Sequence, residues 1–345
     1  MASHSGPMNT TTHQNLTTAP FGTTGMAITR VGFGAWAVGG GDWAFAWGPQ
    51  DDGEAIAAIR HAVESGVNWI DTAAVYGLGH SEQVVAAALD GIPAADRPYV
   101  FTKGGLVWDD TDRSIAPRRV GNPASLRREV ENSLRRLNVE RIDLYQMHWP
   151  AEDGTALADY WQALLDLKAE GKVRAVGLSN HEIAQLGAAE ALGHVDTLQP
   201  PFSAIHRETA DLLSWTRAHN TGVIVYSPMM SGLLTGAFTR ARVAGLPADD
   251  WRRSSADFTT ELDANLIVAN ALREVARRHG ISQPAAAVAW TLAFEGVTGA
   301  IVGARSPEQV DGWLAAASTP LTPEDLDTVA DAIAASGAGE GPVRP

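Results

Sequence analysis

The chain has no cysteine. Disulfides, thiolate nucleophiles, cysteine zinc sites and thiolate-held clusters are therefore excluded. No run approaches the roughly 20 apolar residues that span a bilayer. Cations are also scarce: 26 Lys and Arg against 40 Asp and Glu leave a net charge of −14. That balance argues against nucleic acid and anionic membranes as partners. Residues 1–25 are polar, rich in Thr and Ser, and contain no apolar core of a secretory signal. Residues 1–21 read as a disordered leader, with residues 1–7 as an added piece ahead of a second start at Met8. The expected setting is cytoplasmic.

What the chain does have is length and alternation. It runs to 345 residues, 45% of them apolar, and α/β barrels reach about 250 residues or more as one domain. Between residues 26 and 335 no linker or composition break appears. Apolar runs stand at Val67–Ile70, Tyr99–Thr102, Ile142–Met147, Val173–Leu178, Val195–Leu198, Val223–Tyr226 and Gly299–Val302, with an earlier one around Ile28–Phe33. Such short runs bounded by turn residues suit strands buried on both faces. Helical spacing fills the gaps. Asn122 and Pro123 open a stretch with Leu126, Val130, Leu134 and Leu137 on one face. Asp51 and Asp52 open another with Ile56, Ile59 and Val63, closed by Gly66. Thr322–Ala335 reads as a final helix. Strands alternating with helices predict a (β/α)8 TIM barrel, a single domain over residues 22–335 with an extra C-terminal helix and long loops at the strand C-terminal face. Residues 336–345 read as a flexible tail.

The competing fold is a doubly wound sheet with a glycine-rich dinucleotide turn. Gly32-Phe-Gly34-Ala-Trp-Ala37 matches G-x-G-x-x-A formally, but a loop follows it where the fingerprint needs a helix N-terminus. His181-Glu-Ile-Ala-Gln185 misses the H-E-x-x-H zinc pattern at its last position. Gly177-Leu-Ser179-Asn-His lacks the final glycine of a nucleophile elbow.

In a barrel, chemistry collects in the loops at the carboxyl ends of the strands. Asp71 ends the second expected strand and Tyr76 follows five residues later. Lys103 follows the third and His148 the fourth. Each has an ordinary explanation: Asp71 as a helix cap, Lys103 as a solvated cation, His148 as a core histidine, Tyr76-Gly77 as a turn. Jointly those explanations fare worse, because several strands would have to supply such groups to one rim by chance. The sharper reading is a proton-transfer site. Tyrosine gives up its proton poorly near neutrality. A neighbouring ammonium lowers its pKa, an aspartate keeps that ammonium charged, and a histidine hydrogen-bonds the oxygen that gathers charge. Such a group protonates a carbonyl oxygen while a nicotinamide delivers hydride, which no side chain can carry.

These residues sit inside longer motifs. Residues 66–82 read GVNWIDTAAVYGLGHSE. Thr102-Lys103, then residues 143–149 (DLYQMHW), then residues 171–180 (GKVRAVGLSN) follow in order. Gln199, Tyr226-Ser-Pro and residues 301–309 (IVGARSPEQ) complete the series. The series resembles the aldo-keto reductase superfamily, over about residues 22 to 335. The loop containing Trp47-Gly-Pro-Gln-Asp-Asp resembles a bacterial branch with broad or unassigned substrates. The resemblance implies a (β/α)8 barrel and NADPH-dependent reduction of an aldehyde or ketone. It implies Tyr76 as general acid, Asp71 and Lys103 tuning it, and His148 orienting the carbonyl.

For the cofactor, NADPH (NADP+), the resemblance points to Trp36, Asp71, Ser179, Asn180, Gln199, Tyr226, Ser227, Met229, Ser231, Leu233, Gly303, Arg305 and Gln309. Ser179 and Asn180 can hold the carboxamide, with Gln199 on the same side. Tyr226 can stack on the nicotinamide, and backbone donors of Ser227–Gly232 can meet the pyrophosphate. Gly303 and Arg305 suit the 2′-phosphate. Where the family usually shows an acidic residue and an asparagine beyond Gln309, this chain has Gly312 and Trp313. Trp36, Trp43, Trp108 and Trp149 fall in expected rim loops and suggest an apolar substrate mouth. Two alternatives stay open: a reductase of a keto-sugar intermediate, and a regulatory subunit that binds NADP with little turnover.

Overall fold

The computed structural model describes residues 16–345. Eight parallel strands close into a barrel: β1 (Val31–Gly34), β2 (Trp69–Asp71), β3 (Tyr99–Gly104), β4 (Ile142–Met147), β5 (Val173–Ser179), β6 (Thr197–Gln199), β7 (Gly222–Val225) and β8 (Gly299–Gly303). Each pairs with its neighbours in sequence, and β8 returns to β1 through Ala300↔Val31 and Gly303↔Gly34. The helices α1 (Asp52–Glu64), α2 (His80–Leu89), α3 (Pro123–Leu137), α4 (Leu157–Ala169), α5 (Ile183–Glu190) and α6 (Leu212–Ala218) follow the first six strands as connections. A long excursion after β7 carries α7 (Arg240–Ala244) and leads into α8 (Leu262–His279) and α9 (Gln283–Leu292). After β8 come α10 (Pro307–Leu314) and α11 (Pro323–Ser336), the expected extra helix. Among the described residues no helix is long and apolar enough to cross a membrane.

The helix ends follow from local chemistry. Asn122 accepts from the N–H groups of Ala124 and Ser125, and Pro123 needs no partner at the first position. Thr322 and Asp325 form a reciprocal capping box on α11. The buried face of α1 is Ala55, Ala58, Ile59 and Ala62, one position away from the expected Ile56–Ile59–Val63 face. Three alanines and Ile59 meet the neighbouring layer there, with Ile56 at its edge.

Side chains alternate in and out along each strand, and the inward ones fall into two levels. The lower level is apolar: Trp69, Phe101, Leu144, Ala175, Ile224 and Ile301 form one buried cluster. Residues two places further along the same faces are Asp71, Lys103 and Gln146, which form the upper level. Gly32 makes room for this packing, since a Cβ there would sit 2.2 Å from the Trp69 indole. This is why Gly32 stands where the sequence superficially suggests a nucleotide fingerprint.

Two expectations about the chain ends are corrected. Residues 1–15 of the supposed leader lie outside the described residues, but residues 18–21 belong to the fold. Thr18–Pro20 pairs antiparallel with Ala27–Thr29, and Phe21 is fully buried beneath Phe101 with ring centroids 5.6 Å apart. The expected first strand around Ile28–Phe33 is thus two strands, one in this hairpin and one in the barrel. The hairpin closes the barrel floor with an aromatic plug. At the other end, residues after Ser336 are held rather than free. Buried Arg207 donates to the carbonyls of Ala338 at 3.2 Å, Gly341 at 3.4 Å and Pro342 at 3.0 Å.

The plug generates a stability prediction. Phe21→Ala removes a ring from a packed floor and should destabilise the protein by about 3–5 kcal/mol. Denaturant titration followed by tryptophan fluorescence reads this; an unchanged midpoint would contradict the plug.

Candidate active site

β2 ends on the inward-pointing Asp71, and the inward-pointing Lys103 stands one residue before the end of β3. Lys103 Nζ donates to Asp71 Oδ2 at 2.6 Å, to the Thr72 carbonyl at 3.0 Å and to the Tyr76 hydroxyl at 3.3 Å. Both charged side chains are almost wholly shielded from solvent. The other carboxylate oxygen, Asp71 Oδ1, accepts from Gln146 Nε2 at 3.1 Å and Gln199 Nε2 at 3.0 Å. Gln199 also donates to Gln146 Oε1 at 2.8 Å. Asp71 is thus fixed by an ammonium on one side and two amides on the other. Gln146 is the group that the sequence reading missed. The available signal was period two along β4: Leu144, Gln146 and His148 share one face, and a glutamine there breaks an apolar series.

Tyr76 stands on the turn after β2. Its ring lies edge-on to His148 with centroids 5.8 Å apart, and Lys103 Nζ is 5.1 Å from the Tyr76 ring centre. Gly77 makes this turn possible. It adopts φ 62°, and a Cβ there would lie 2.1 Å from the Gly39 carbonyl oxygen. Backbone packs on backbone directly behind Tyr76.

The sequence predicts that Lys103 lowers the Tyr76 pKa, and Lys103 does act in that direction, but the net shift is upward. Burial raises it, Lys103 pulls it back, and burial wins. Lys103 moves up as well: burial works against its charge, but Asp71 and Tyr76 more than offset that. Burial, with Lys103 and Arg119 adding to it, takes His148 well below the ordinary histidine value, so its imidazole is neutral at neutral pH. Behind β3, Glu129 accepts from the Gly105 N–H at 2.9 Å and from Ser125 Oγ at 3.0 Å. Burial pushes Glu129 up to about 7.

A cleft of about 1460 Å3 opens over this network. That exceeds the roughly 300–1,000 Å3 of an ordinary small-ligand pocket. It runs from Asp71, Tyr76 and His148 past Ser179, Asn180, Gln199 and Tyr226, along Ser227–Gly232, to Gly303, Arg305, Gln309, Gly312 and Trp313. Trp36, Trp43 and Trp149 also line the cleft. Arg119 stacks on Trp149 at 4.2 Å and pairs with Glu152 at 2.8 Å. Trp108 does not reach the cleft. Its indole N–H donates to Asp110 at 2.9 Å, and the ring packs behind with Val75 and Leu78.

Several expected cofactor residues already have partners. Ser179 Oγ donates to the Gln199 carbonyl at 2.8 Å. Asn180 accepts from the Tyr226 hydroxyl at 2.6 Å and donates to the His148 carbonyl at 3.0 Å. These bonds hold the Tyr226 ring at the cleft wall. Leu233 is a correction: it is fully buried in the apolar core, and its N–H donates to the Met230 carbonyl at 3.0 Å. Among the described residues, by contrast, the N–H groups of Met229, Ser231 and Gly232 have no acceptor. The turn bearing them is left-handed at Ser227, Met230 and Ser231. Such unpaired donors along a cleft wall suit a pyrophosphate. Trp313 is buried and donates to the Gly303 carbonyl at 3.2 Å, so it fills the wall, while Gly312 leaves open space beside it.

A closed parallel barrel with a buried Asp–Lys pair beside a half-buried tyrosine, at the mouth of a dinucleotide-sized cleft, defines a class of barrel oxidoreductase. The Aldo/keto reductase family model matches residues 30–334, and the chain belongs to that family. It is an NAD(P)H-dependent oxidoreductase of carbonyl compounds. Its sequence is 33% identical to aldo-keto reductase YhdN of Bacillus subtilis over 305 residues, 88% of this chain and 89% of the relative. It is 34% identical to the NADH-specific methylglyoxal reductase of Escherichia coli over 317 residues, covering 89% and 95%. Among solved structures, the glycerol dehydrogenase AKR11B4 from Gluconobacter oxydans matches with a TM-score of 0.85 at 36% identity, covering 94% of this chain and 98% of that one.

Glu129 gives a pH prediction. Its folded pKa of about 7 lies above its ordinary value of 4.5. The folded state therefore holds the proton longer, and Glu129's contribution to stability is lost as pH rises from 4.5 through 7. Glu129→Gln keeps an acceptor for Gly105 but cannot ionise. The denaturation midpoint of the variant should gain on wild type between pH 5 and 8; a constant gap would exclude the shifted carboxyl.

Proposed function

We propose that this protein reduces a small aldehyde or ketone to an alcohol with NADPH, and that Tyr76 gives the proton. The carrying observation is the Tyr76 hydroxyl 3.3 Å from a buried ammonium that is itself 2.6 Å from a buried carboxylate, on the wall of the cleft. A bound nicotinamide supplies the hydride to the carbonyl carbon. The chain's own groups do the rest. Tyr76, held protonated by its raised pKa, donates to the carbonyl oxygen as that oxygen gathers charge. Lys103 then stabilises the phenolate left behind, and Asp71 keeps Lys103 charged and aimed. Neutral His148 orients the same oxygen by a hydrogen bond.

For the dinucleotide, Tyr226 would meet the nicotinamide ring, and the N–H groups of Met229, Ser231 and Gly232 the pyrophosphate. Arg305 favours the 2′-phosphate and so NADPH over NADH. The Escherichia coli relative is NADH-specific, so membership of the family does not carry the choice of cofactor. The names of two relatives denote three-carbon compounds, methylglyoxal and glycerol, which supports a small substrate beneath Trp36, Trp43 and Trp149.

Tyr76→Phe should lower kcat by about 10²–10⁴-fold, the usual reach of a general acid, and leave dinucleotide affinity within about twofold. Stopped-flow turnover and equilibrium titration read the two effects. Full activity in the variant would remove Tyr76 from the reaction. Wild-type turnover too slow to measure on every aldehyde, ketone and keto-sugar offered would favour the regulatory reading.

A further inference from the structure

At the end of the cleft far from Tyr76, Arg305 lines the wall and makes no ion pair among the described residues. Neutral groups on the loop between β1 and α1 hold it instead. Arg305 Nε donates to Gln50 Oε1 at 2.6 Å, and Arg305 Nη2 donates to the Pro49 carbonyl. Gln50 Nε2 donates back to the Arg305 carbonyl at 3.1 Å. The Arg305 N–H donates to Gln309 Oε1 at 2.7 Å. Nε and Nη2 form one edge of the guanidinium, the edge that meets two oxygens of a phosphate side by side. Here that edge is occupied by a glutamine and a carbonyl.

We infer that Gln50 is a specificity-determining residue that weakens the preference for the 2′-phosphorylated dinucleotide by competing for Arg305. This rests on the reading of Arg305 as the 2′-phosphate group. A 2′-phosphate takes the occupied edge only by displacing Gln50 and Pro49. A 2′-hydroxyl asks nothing of Arg305, so the latch penalises one cofactor and spares the other. Because its partners are neutral, Arg305 keeps its full charge, and the preference is narrowed rather than abolished. Gln50 is half-buried and outside the network of Asp71, Lys103 and Gln146, so its replacement leaves that network in place.

Quenching of tryptophan fluorescence, with Trp36 and Trp47 in the cleft wall, gives dissociation constants for NADP+ and NAD+ without turnover. Gln50→Ala in the full chain should tighten NADP+ by about 3–10-fold, one competing hydrogen bond's worth, and leave NAD+ within about twofold. Gln50→Glu should weaken NADP+ by at least about tenfold, through a neutralised and more firmly held Arg305. Arg305→Ala tests the underlying reading separately. If Arg305→Ala leaves the NADP+ to NAD+ affinity ratio unchanged, Arg305 does not meet the phosphate, and both readings fall. If Arg305→Ala lowers the ratio but Gln50→Ala leaves it unchanged or lowers it, the cofactor reading stands and the role of Gln50 is refuted.

Discussion

The site depends on one buried ion pair. Lys103 and Asp71 sit 2.6 Å apart, with side chains 1% and 3% exposed. Neither charge would be tolerable there alone, because desolvation of a lone ion outweighs most packing gains. Each is tolerated because its remaining hydrogen-bonding capacity is filled: Lys103 by the Thr72 carbonyl and Tyr76, Asp71 by two glutamine amides. The surrounding geometry serves that pair. β2, β3, β4 and β6 must all stand in register to bring Asp71, Lys103, Gln146 and Gln199 together, and the closed barrel is what guarantees the register.

The barrel interior therefore has a division of labour along its axis. Below, Trp69, Phe101 and Phe21 exclude water and stiffen the strands. Above, the polar residues on the same strand faces turn that dry, rigid setting to chemical use. The dryness sets the protonation states as well. It raises Tyr76 and depresses His148, so that both enter the cleft neutral and able to donate a hydrogen bond. An ammonium nearby lowers a phenol's pKa in water, but the same neighbour in a water-poor wall is outweighed by desolvation. The expected pull of Lys103 on Tyr76 is present, and burial outweighs it.

Much of the architecture was legible because it is written in local patterns. Seven of the eight strands start within two residues of the apolar runs, and Asn122-Pro123 and Thr322-Pro323 mark helix starts unambiguously. The four groups Asp71, Tyr76, Lys103 and His148 were legible from their places after successive strands and from their motifs. What escaped notice depends on partners remote in sequence. Phe21 looks like part of a polar leader until the barrel floor is closed above it. Gln146 looks like a strand residue until Asp71 needs a second donor. Trp108 was assigned to the cleft by its position in a loop and Leu233 by the resemblance, but one bonds Asp110 and the other is drawn into the core. Position along the chain does not reveal which way a loop side chain faces.

Arg207 has a consequence for the order in which the chain settles. Its guanidinium is buried beside α6 and is satisfied by carbonyls, three of them on residues 338–342 and so 131 to 135 residues further along. During synthesis those acceptors emerge long after the arginine. Until they arrive, the segment between β6 and α6 carries an unsatisfied cation and cannot adopt its final burial. Completion of the Arg207 site is therefore coupled to residues 338–342, which lie beyond the last barrel strand. Because the contacts are made by main-chain oxygens, the demand falls on backbone path more than on side-chain identity.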